Sequence, residues 1–219
     1  MKALVTGGTR GIGKALVLEL LNSGWEVCTC ARNIPDDMPK DERLLVVECD
    51  ISKRDQVKRF VNLCVEKVGY LDLLVNNASI LGERKAIEDY PENVWEEVLQ
   101  INVNGTFYVT KYTIPYLKYG AIVINISSGA GKRPAPYWGA YAVSKFAIEG
   151  FSLLLNEELK DRNIRVYAFN PGATRTQMRA KAYPEEDPMA LKPPEDVAKA
   201  ILRLIQKRPE KVSIDYSEV

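Results

Sequence analysis

A tyrosine and a lysine four residues apart, Tyr141 and Lys145, stand in the run GAYAVSK at residues 139–145. On a helix that spacing puts both side chains on one face, one turn apart. A positive charge within a few ångströms of a phenol favours phenolate, so the tyrosine is expected to titrate below its ordinary value of about 10, closer to a usable general acid or base. Ser128 follows the apolar run AIVINIS at 121–127, so a strand can deliver its hydroxyl beside the start of the tyrosine's helix. The three polar groups can then converge on one substrate oxygen. The same Tyr-x-x-x-Lys spacing also arises where a half-buried ring lies beside a lysine that snorkels to solvent, and the surrounding chain has to decide between the two.

The elements that would position these groups are visible as short apolar runs separated by longer helical patterns. The runs are KALVT (2–6), WEVCTCA (25–31), RLLVVEC (43–49), LDLLV (71–75), AIVINIS (121–127), IRVYAF (164–169) and a weaker KVSIDY (211–216). They are nearly continuously apolar rather than alternating, the mark of parallel strands covered on both faces. A 3.6-residue pattern predicts helices near 11–22, 53–68, 92–114, 140–160 and 194–207. Ser52 and Pro194 with Glu195 serve as start signals, and Gly24, Gly69 and Asn163 as stops. Such alternation with right-handed crossovers predicts an α/β fold, a Rossmann-type doubly wound parallel sheet of about seven strands with helices on both faces. The 219 residues show no repeat or linker and suit one domain, 1–219.

Composition narrows the chemistry. The chain has no histidine, which removes Ser-His-Asp and Cys-His nucleophile systems and most zinc sites, and no metal is expected. Its four cysteines form no CxxC pair and are read as core packing. A net charge of +1, from 30 basic and 29 acidic residues, supplies no global field for nucleic acid or an anionic membrane. No run approaches 18 apolar residues, so neither a signal peptide nor a membrane helix is expected and a cytoplasmic location is.

The first strand leads straight into Thr6-Gly7-Gly8-Thr9-Arg10-Gly11-Ile12-Gly13 and then a helix. Glycines permit the tight turn and the close approach of a pyrophosphate, whose charge sits at a helix N-terminus where amide donors are unpaired. The spacing is G-x-x-x-G-x-G, different from the G-x-G-x-x-G dinucleotide fingerprint. Six motifs together carry a resemblance: the Thr6 to Gly13 run, Asn76-Asn77-Ala78, Asn102, Ser128, Tyr141-x-x-x-Lys145, and Asn170-Pro171-Gly172 with Thr176. In order and spacing the chain resembles the short-chain dehydrogenase/reductase family in its compact single-domain form, over almost its whole length.

The resemblance implies a nicotinamide cofactor and hydride transfer at a carbonyl or alcohol. Ser128 would hold the substrate oxygen, Tyr141 would give or take its proton, and Lys145 would bind the nicotinamide ribose while lowering the tyrosine's pKa. Asn102 would help hold a water joining the lysine to solvent; a satisfied helix asparagine is the alternative. The cofactor would lie against Gly7, Thr9, Arg10, Gly11, Ile12 and Gly13, then Arg32, Asp50, Ile51, Asn77 and Ala78, with Tyr141 and Lys145. Pro171, Gly172, Thr174 and Thr176 would hold the carboxamide. Asp50 would read adenine, unless it merely forms a turn. The family's substrate-covering segment is short here, Gln177 to Pro193, which implies an open pocket. A homodimer through the helices near 92–118 and 140–160 is expected, with a homotetramer the next assembly.

An enzyme preferring NAD generally carries a carboxylate after the second strand for the adenosine 2′-hydroxyl. This chain has Cys30-Ala31-Arg32-Asn33 there, and Arg10 in the glycine loop. Two guanidinium groups suit a 2′-phosphate, so NADP(H) is the expected cofactor. The leading expectation is reduction of a small ketone or aldehyde, with the reverse oxidation open. A 3-oxoacyl thioester reductase and a sugar or polyol dehydrogenase belong to the same class. Epimerases and dehydratases with Tyr-x-x-x-Lys have a substrate domain for which 219 residues leave no room, and a non-catalytic NADP(H) sensor would not need the complete tetrad. Ala130, Tyr137, Trp138, Ala173, Met178, Tyr183 and Met189 are the expected pocket wall, and Lys132, Arg133, Arg175, Arg179 and Lys181 a basic rim able to steer an anionic substrate.

Overall fold

The apolar runs form one all-parallel sheet in the computed structural model, which describes residues 1–219. Its strands are β1 (Lys2–Thr6), β2 (Glu26–Ala31), β3 (Leu44–Glu48), β4 (Leu71–Asn76), β5 (Leu117–Ile126), β6 (Arg165–Asn170) and β7 (Ser213–Asp215). They stand in the order β3-β2-β1-β4-β5-β6-β7. The chain therefore winds outward through β2 and β3 and returns across β1, leaving a crevice at the carboxyl ends of β1 and β4 where the winding reverses.

The helices are α1 (Gly11–Asn22), α2 (Arg54–Val68), α3 (Glu92–Leu99), α4 (Thr106–Thr113), α5 (Gly139–Glu158), α6 (Gln177–Ala182) and α7 (Pro194–Lys207). Leu16, Val17 and Leu20 of α1 and Ala198, Ile201 and Leu204 of α7 bury one face of the sheet together with Val5, Leu73, Ile124 and Phe169. Val57, Phe60 and Cys64 of α2, Val109 of α4 and Leu155 of α5 bury the other, against Leu4, Leu74, Val123 and Val166. Alternate residues of each strand thus feed opposite layers. Both faces are covered by apolar side chains, which is why the strands read as nearly unbroken apolar runs.

Several boundaries differ from the sequence pattern, each for a physical reason. Lys53, not Ser52, precedes α2, because Ser52 sits in a turn made by Asp50, whose Oδ1 accepts the Ser52 amide at 2.9 Å. The helix expected at 92–114 is interrupted by a π-helical turn, Gln100–Gly105, between α3 and α4. One inserted residue in a helical ladder leaves no trace in composition, and such turns gather at functional positions. β5 starts at Leu117, earlier than expected, and absorbs the difference in a register shift: Leu71 pairs with Leu117 but Leu73 with Ile122. The short α6 was not foreseen; Thr176 starts it by accepting the Arg179 amide at 3.2 Å. Gly69 and Asn163 do end their elements with positive φ, at 72° and 51°.

A buried polar ladder ties the two central strands to the helices that carry the chemistry. Asn76 donates to Asn125 at 2.8 Å and to Thr110 of α4 at 2.9 Å. Asn125 in turn donates to Ser152 of α5 at 2.9 Å. Each link joins a side chain that would be costly to bury alone.

Candidate active site

The glycine turn after β1 is shaped by two positive φ values, 69° at Gly7 and 53° at Gly11. A Cβ on Gly13 would lie 2.2 Å from the Gly7 carbonyl oxygen, so the first turn of α1 can press against the strand end only as glycine. Asn77 staples this turn, donating from Nδ2 to the carbonyls of Thr6 at 2.9 Å and Gly7 at 3.1 Å. The Thr6 hydroxyl accepts the amides of Asn77 and Ala78 at 3.0 and 3.1 Å. Arg10, at the N-cap of α1, makes no side-chain cap, which leaves the first helical amides free for an anion.

A cavity of about 1750 Å³ runs from this turn across the carboxyl ends of the strands. Its lining includes Arg10, Arg32, Asp50 and Ile51 with Gly7, Thr9, Gly11, Ile12, Asn77 and Ala78 of the turns after the strands, and Arg10 reaches Gln177 Oε1 at 3.4 Å. Ser128, Tyr141 and Lys145 line the same cavity with Pro171, Gly172, Thr174 and Thr176. Gly13 and Asn102 stand behind the lining rather than in it. Its volume exceeds the range of about 300 to 1,000 Å³ usual for a small-molecule pocket, leaving room for a dinucleotide and a second compound.

Ser128 follows the last residues of β5 and accepts the Ala130 amide at 3.2 Å. Tyr141 and Lys145, on the first turns of α5, are both buried. Lys145 Nζ donates to the Ile126 carbonyl at 2.8 Å and lies 5.4 Å from the centre of the Tyr141 ring. The expected depression of the tyrosine does not occur. Burial pushes the Tyr141 phenol above its usual value, and the hydrogen bond with Ser128 only partly offsets this. The lysine does not counter this burial: its ammonium is turned to a main-chain carbonyl and is itself discouraged by burial, down to about 8, with Glu149 pulling the other way.

Asn102, in the π-helical turn, is fully used as a brace. Its Oδ1 accepts the Ile80 amide at 2.8 Å, and its Nδ2 donates to the Ile80 carbonyl at 2.9 Å and to Ser144 at 3.1 Å. Ser144 donates on to the Tyr141 carbonyl at 2.7 Å. The turn thereby fixes both the loop after β4 and the helix that carries the phenol.

The far wall is aromatic. Trp138 lies 5.5 Å from Tyr141 and 5.9 Å from Tyr183, ring centre to ring centre. The guanidinium of Arg84 sits 5.1 Å from the Trp138 ring and 4.8 Å from that of Tyr183, and donates to the Ala182 carbonyl at 2.6 Å. Sequence reasoning missed Arg84, which stands between Glu83 and Lys85 in a loop with no motif around it. Ala130, Trp138, Ala173, Met178 and Tyr183 line the cavity as expected. Tyr137 and Met189 do not; they are 63% and 75% exposed, directed to solvent. The basic rim is weaker than its sequence suggests, because Lys132 pairs with Asp215 at 2.7 Å and Arg179 with Glu186 at 2.6 Å. Arg133, Arg175 and Lys181 line the cavity without a carboxylate partner. All four cysteines are free and buried, and Cys30 and Cys49 also border the cavity.

Comparison with known proteins agrees with this geometry. The family model of the short chain dehydrogenases matches residues 1–187, and the chain belongs to the short-chain dehydrogenase/reductase family. It is 33% identical over 215 residues to the uncharacterized oxidoreductase YciK of Escherichia coli, covering 92% of this chain and 84% of that one. It is also 33% identical over 218 residues to a 3-oxoacyl-acyl-carrier-protein reductase of Thermotoga maritima, covering 92% and 88%. A short chain dehydrogenase of Shigella flexneri solved in complex with NADP superposes with a TM-score of 0.88 at 31% identity, over 99% of this chain and 96% of that one. The protein is thus an oxidoreductase with the Rossmann fold of that family, and two of its structural neighbours were solved with NADP or NADPH bound. No helix is long and apolar enough to cross a membrane.

The buried ammonium has a measurable consequence. Lys145 titrates at about 8 in the fold against 10.5 for an ordinary lysine, so between those values the unfolded chain binds more protons and folding stability rises with pH. The cofactor-free protein should gain stability from about pH 8 to about pH 10.5 relative to a Lys145→Met variant, and show no relative gain below about pH 8. Paired denaturation curves across this range provide the check; a constant difference at every pH would contradict a charged, buried lysine.

Proposed function

We propose that the protein is an NADP(H)-dependent oxidoreductase of one domain, 1–219, whose favoured reaction is reduction of a small ketone or aldehyde to an alcohol. The observation that carries this reading is the gathering of Ser128, Tyr141 and Lys145 with the glycine turn, Arg10 and Arg32 in the lining of one cavity. The residues fit the dinucleotide. Only glycine at 8 and 13 lets the strand end and the start of α1 pack this closely, and the first amides of α1 carry no side-chain cap. Neither Arg10 nor Arg32 meets a carboxylate, while Asp37, the acid beside them, is held by Lys14 at 2.6 Å and Asp50 is engaged in its own turn. Two uncompensated guanidinium groups suit a 2′-phosphate better than a 2′-hydroxyl.

When bound, the cofactor supplies the hydride. Gly7, Thr9, Gly11, Ile12 and the α1 amides would hold its pyrophosphate, Asp50 and Ile51 its adenine, Asn77 and Ala78 its ribose side, and Pro171, Gly172, Thr174 and Thr176 its carboxamide. Ser128 polarises the substrate carbonyl. Tyr141, a neutral phenol whose pKa burial raises further, donates its proton to the developing alkoxide. Lys145 holds the ribose and places an ammonium beside the phenolate that forms. Asn102 acts through its brace, keeping Ile80 and the Tyr141 helix in register.

A second reading, reduction of a 3-oxoacyl thioester, is favoured by Arg133, Arg175 and Lys181, which keep the rim cationic after its two ion pairs are counted. The similarity to the Thermotoga reductase points the same way. A homodimer, or a homotetramer built from it, would cover Phe107 of α4 with Phe146, Leu153 and Leu154 of α5, which together leave an apolar strip exposed.

Arg32→Asp should shift the kcat/KM preference from NADPH toward NADH, since a carboxylate repels phosphate and accepts ribose hydroxyls. A parent enzyme that already prefers NADH would overturn the cofactor reading. Tyr141→Phe should lower turnover by about 10² to 10⁴ while NADPH still binds, as followed by nucleotide fluorescence; near-parental turnover would refute the acid role. Sedimentation should return a dimer or tetramer for the parent and a smaller species for Leu153→Arg, and a monomeric parent would remove the proposed interface.

A further inference from the structure

Lys145 is the only lysine or arginine in the buried set, and burying an ammonium with nothing but carbonyl oxygen beside it is costly. Its surroundings supply one compensating charge. Glu149 lies one turn further along α5, the i,i+4 position that shares a helix face with Lys145. The carboxylate is not left to swing into solvent. Ser127, a buried hydroxyl at the end of β5, donates a short hydrogen bond of 2.5 Å to Glu149 Oε1. The neighbouring Ile126 carbonyl receives the lysine at 2.8 Å, so consecutive residues of one strand end hold the ammonium and the carboxylate, which share a helix face without closing to an ion pair.

We propose that Glu149, oriented by Ser127, is a positioning residue that keeps Lys145 protonated in the working pH range. This rests on the oxidoreductase reading above. The other groups around the ammonium do not replace Glu149. From β5 comes the Ile126 carbonyl, and Ser127 and Ser128, which follow the strand, carry neutral hydroxyls. The turn at Gly129–Gly131 presents glycine, with Gly131 packed on the Lys145 main chain. From the π-helical turn comes the neutral amide of Asn102, joined to Ser144. On α5 itself the remaining titratable neighbour is the Tyr141 phenol, which burial keeps neutral. Beside β6 and β7, Lys132 and Asp215 compensate each other. Glu149 is the charge that acts on the lysine, and it opposes the loss of the proton that burial favours.

The sign follows. Removing the carboxylate makes the ammonium easier to deprotonate, so whatever needs the cation fails at lower pH. Glu149→Gln keeps the shape and can still accept from Ser127, but carries no charge. It should move the basic limb of the kcat/KM profile for carbonyl reduction down by about one pH unit, a roughly tenfold loss on that limb with little loss near pH 6. Glu149→Asp keeps the charge and should retain the parental limb. Ser127→Ala, which frees the carboxylate, should give a smaller shift in the direction of Glu149→Gln.

A second readout is independent of turnover: competitive acetylation of the cofactor-free protein by acetic anhydride across pH, with Lys145 followed by mass spectrometry. The Lys145 titration should fall in Glu149→Gln and stay in Glu149→Asp. Should the protein turn out not to reduce carbonyls, this measurement still decides the role of Glu149. A Glu149→Gln profile scaled equally at all pH values, with an unmoved lysine titration, would overturn the proposal and leave Glu149 a structural contact. An equal shift in Glu149→Asp would also overturn it, since charge would then not be the cause. If Glu149→Gln does not fold, Ser127→Ala decides: an unmoved lysine titration in that variant refutes the relay.

Discussion

A buried cation at the end of a strand sets the terms for everything around it. The Lys145 ammonium has left water, and an isolated charge in that environment costs several kcal/mol. The Ile126 carbonyl offsets part of that cost, at 2.8 Å. The carbonyl points correctly only because β5 is pinned between β4 and β6 in the middle of the sheet. Gly131 must be glycine for the following turn to close onto the lysine: a Cβ there would fall 2.6 Å from the Lys145 carbonyl carbon. Sheet order, turn geometry and helix position all converge on the placement of one ammonium.

The polar interior obeys the same logic on a larger scale. Asn76, Asn125, Ser152 and Thr110 form a chain of buried hydrogen bonds through two strands and two helices. Asn102, Ser144 and the Ile80 main chain form another. Apolar packing alone would tolerate small slips of α4 or α5 against the sheet. Buried amides do not, because a slip strands a donor without an acceptor. The cavity end with the phenol is therefore framed by directional bonds, whereas the layers beneath α1, α2 and α7 are framed by shape and burial.

How much of this the amino-acid sequence discloses depends on the range of the cause. Strand runs, the glycine turn and the Tyr141 to Lys145 spacing are local patterns, and each is realised near where the pattern predicts, the early start of β5 at Leu117 being the largest departure. The direction of the tyrosine's titration is not local. It turns on how deeply α5 is buried and on which acceptor the lysine meets, and neither is encoded in a four-residue spacing. The π-helical turn escapes notice because one extra residue barely disturbs a 3.6-residue period. The rim of cations looked larger in the sequence than it is, since the partners Asp215 and Glu186 reach it only through tertiary structure. Arg84 acquires meaning solely from two aromatic rings that arrive from distant parts of the chain.

That arginine also bears on how such a scaffold can diversify. The segment containing α6 closes on itself through Arg179 and Glu186, and Arg84 ties it back to the body through aromatic faces and one main-chain carbonyl. Neither link involves Ser128, Lys145 or the polar ladders, but Ala182, Met178 and Tyr183 pack in one cluster with the Tyr141 ring. The roof over the substrate end therefore meets the proton-handling residues through apolar packing rather than directional bonds, and its sequence can drift as long as that cluster stays filled. Selection on substrate range can act on this segment through contacts that ask little of their partners beyond an apolar surface, a cation and a flat ring.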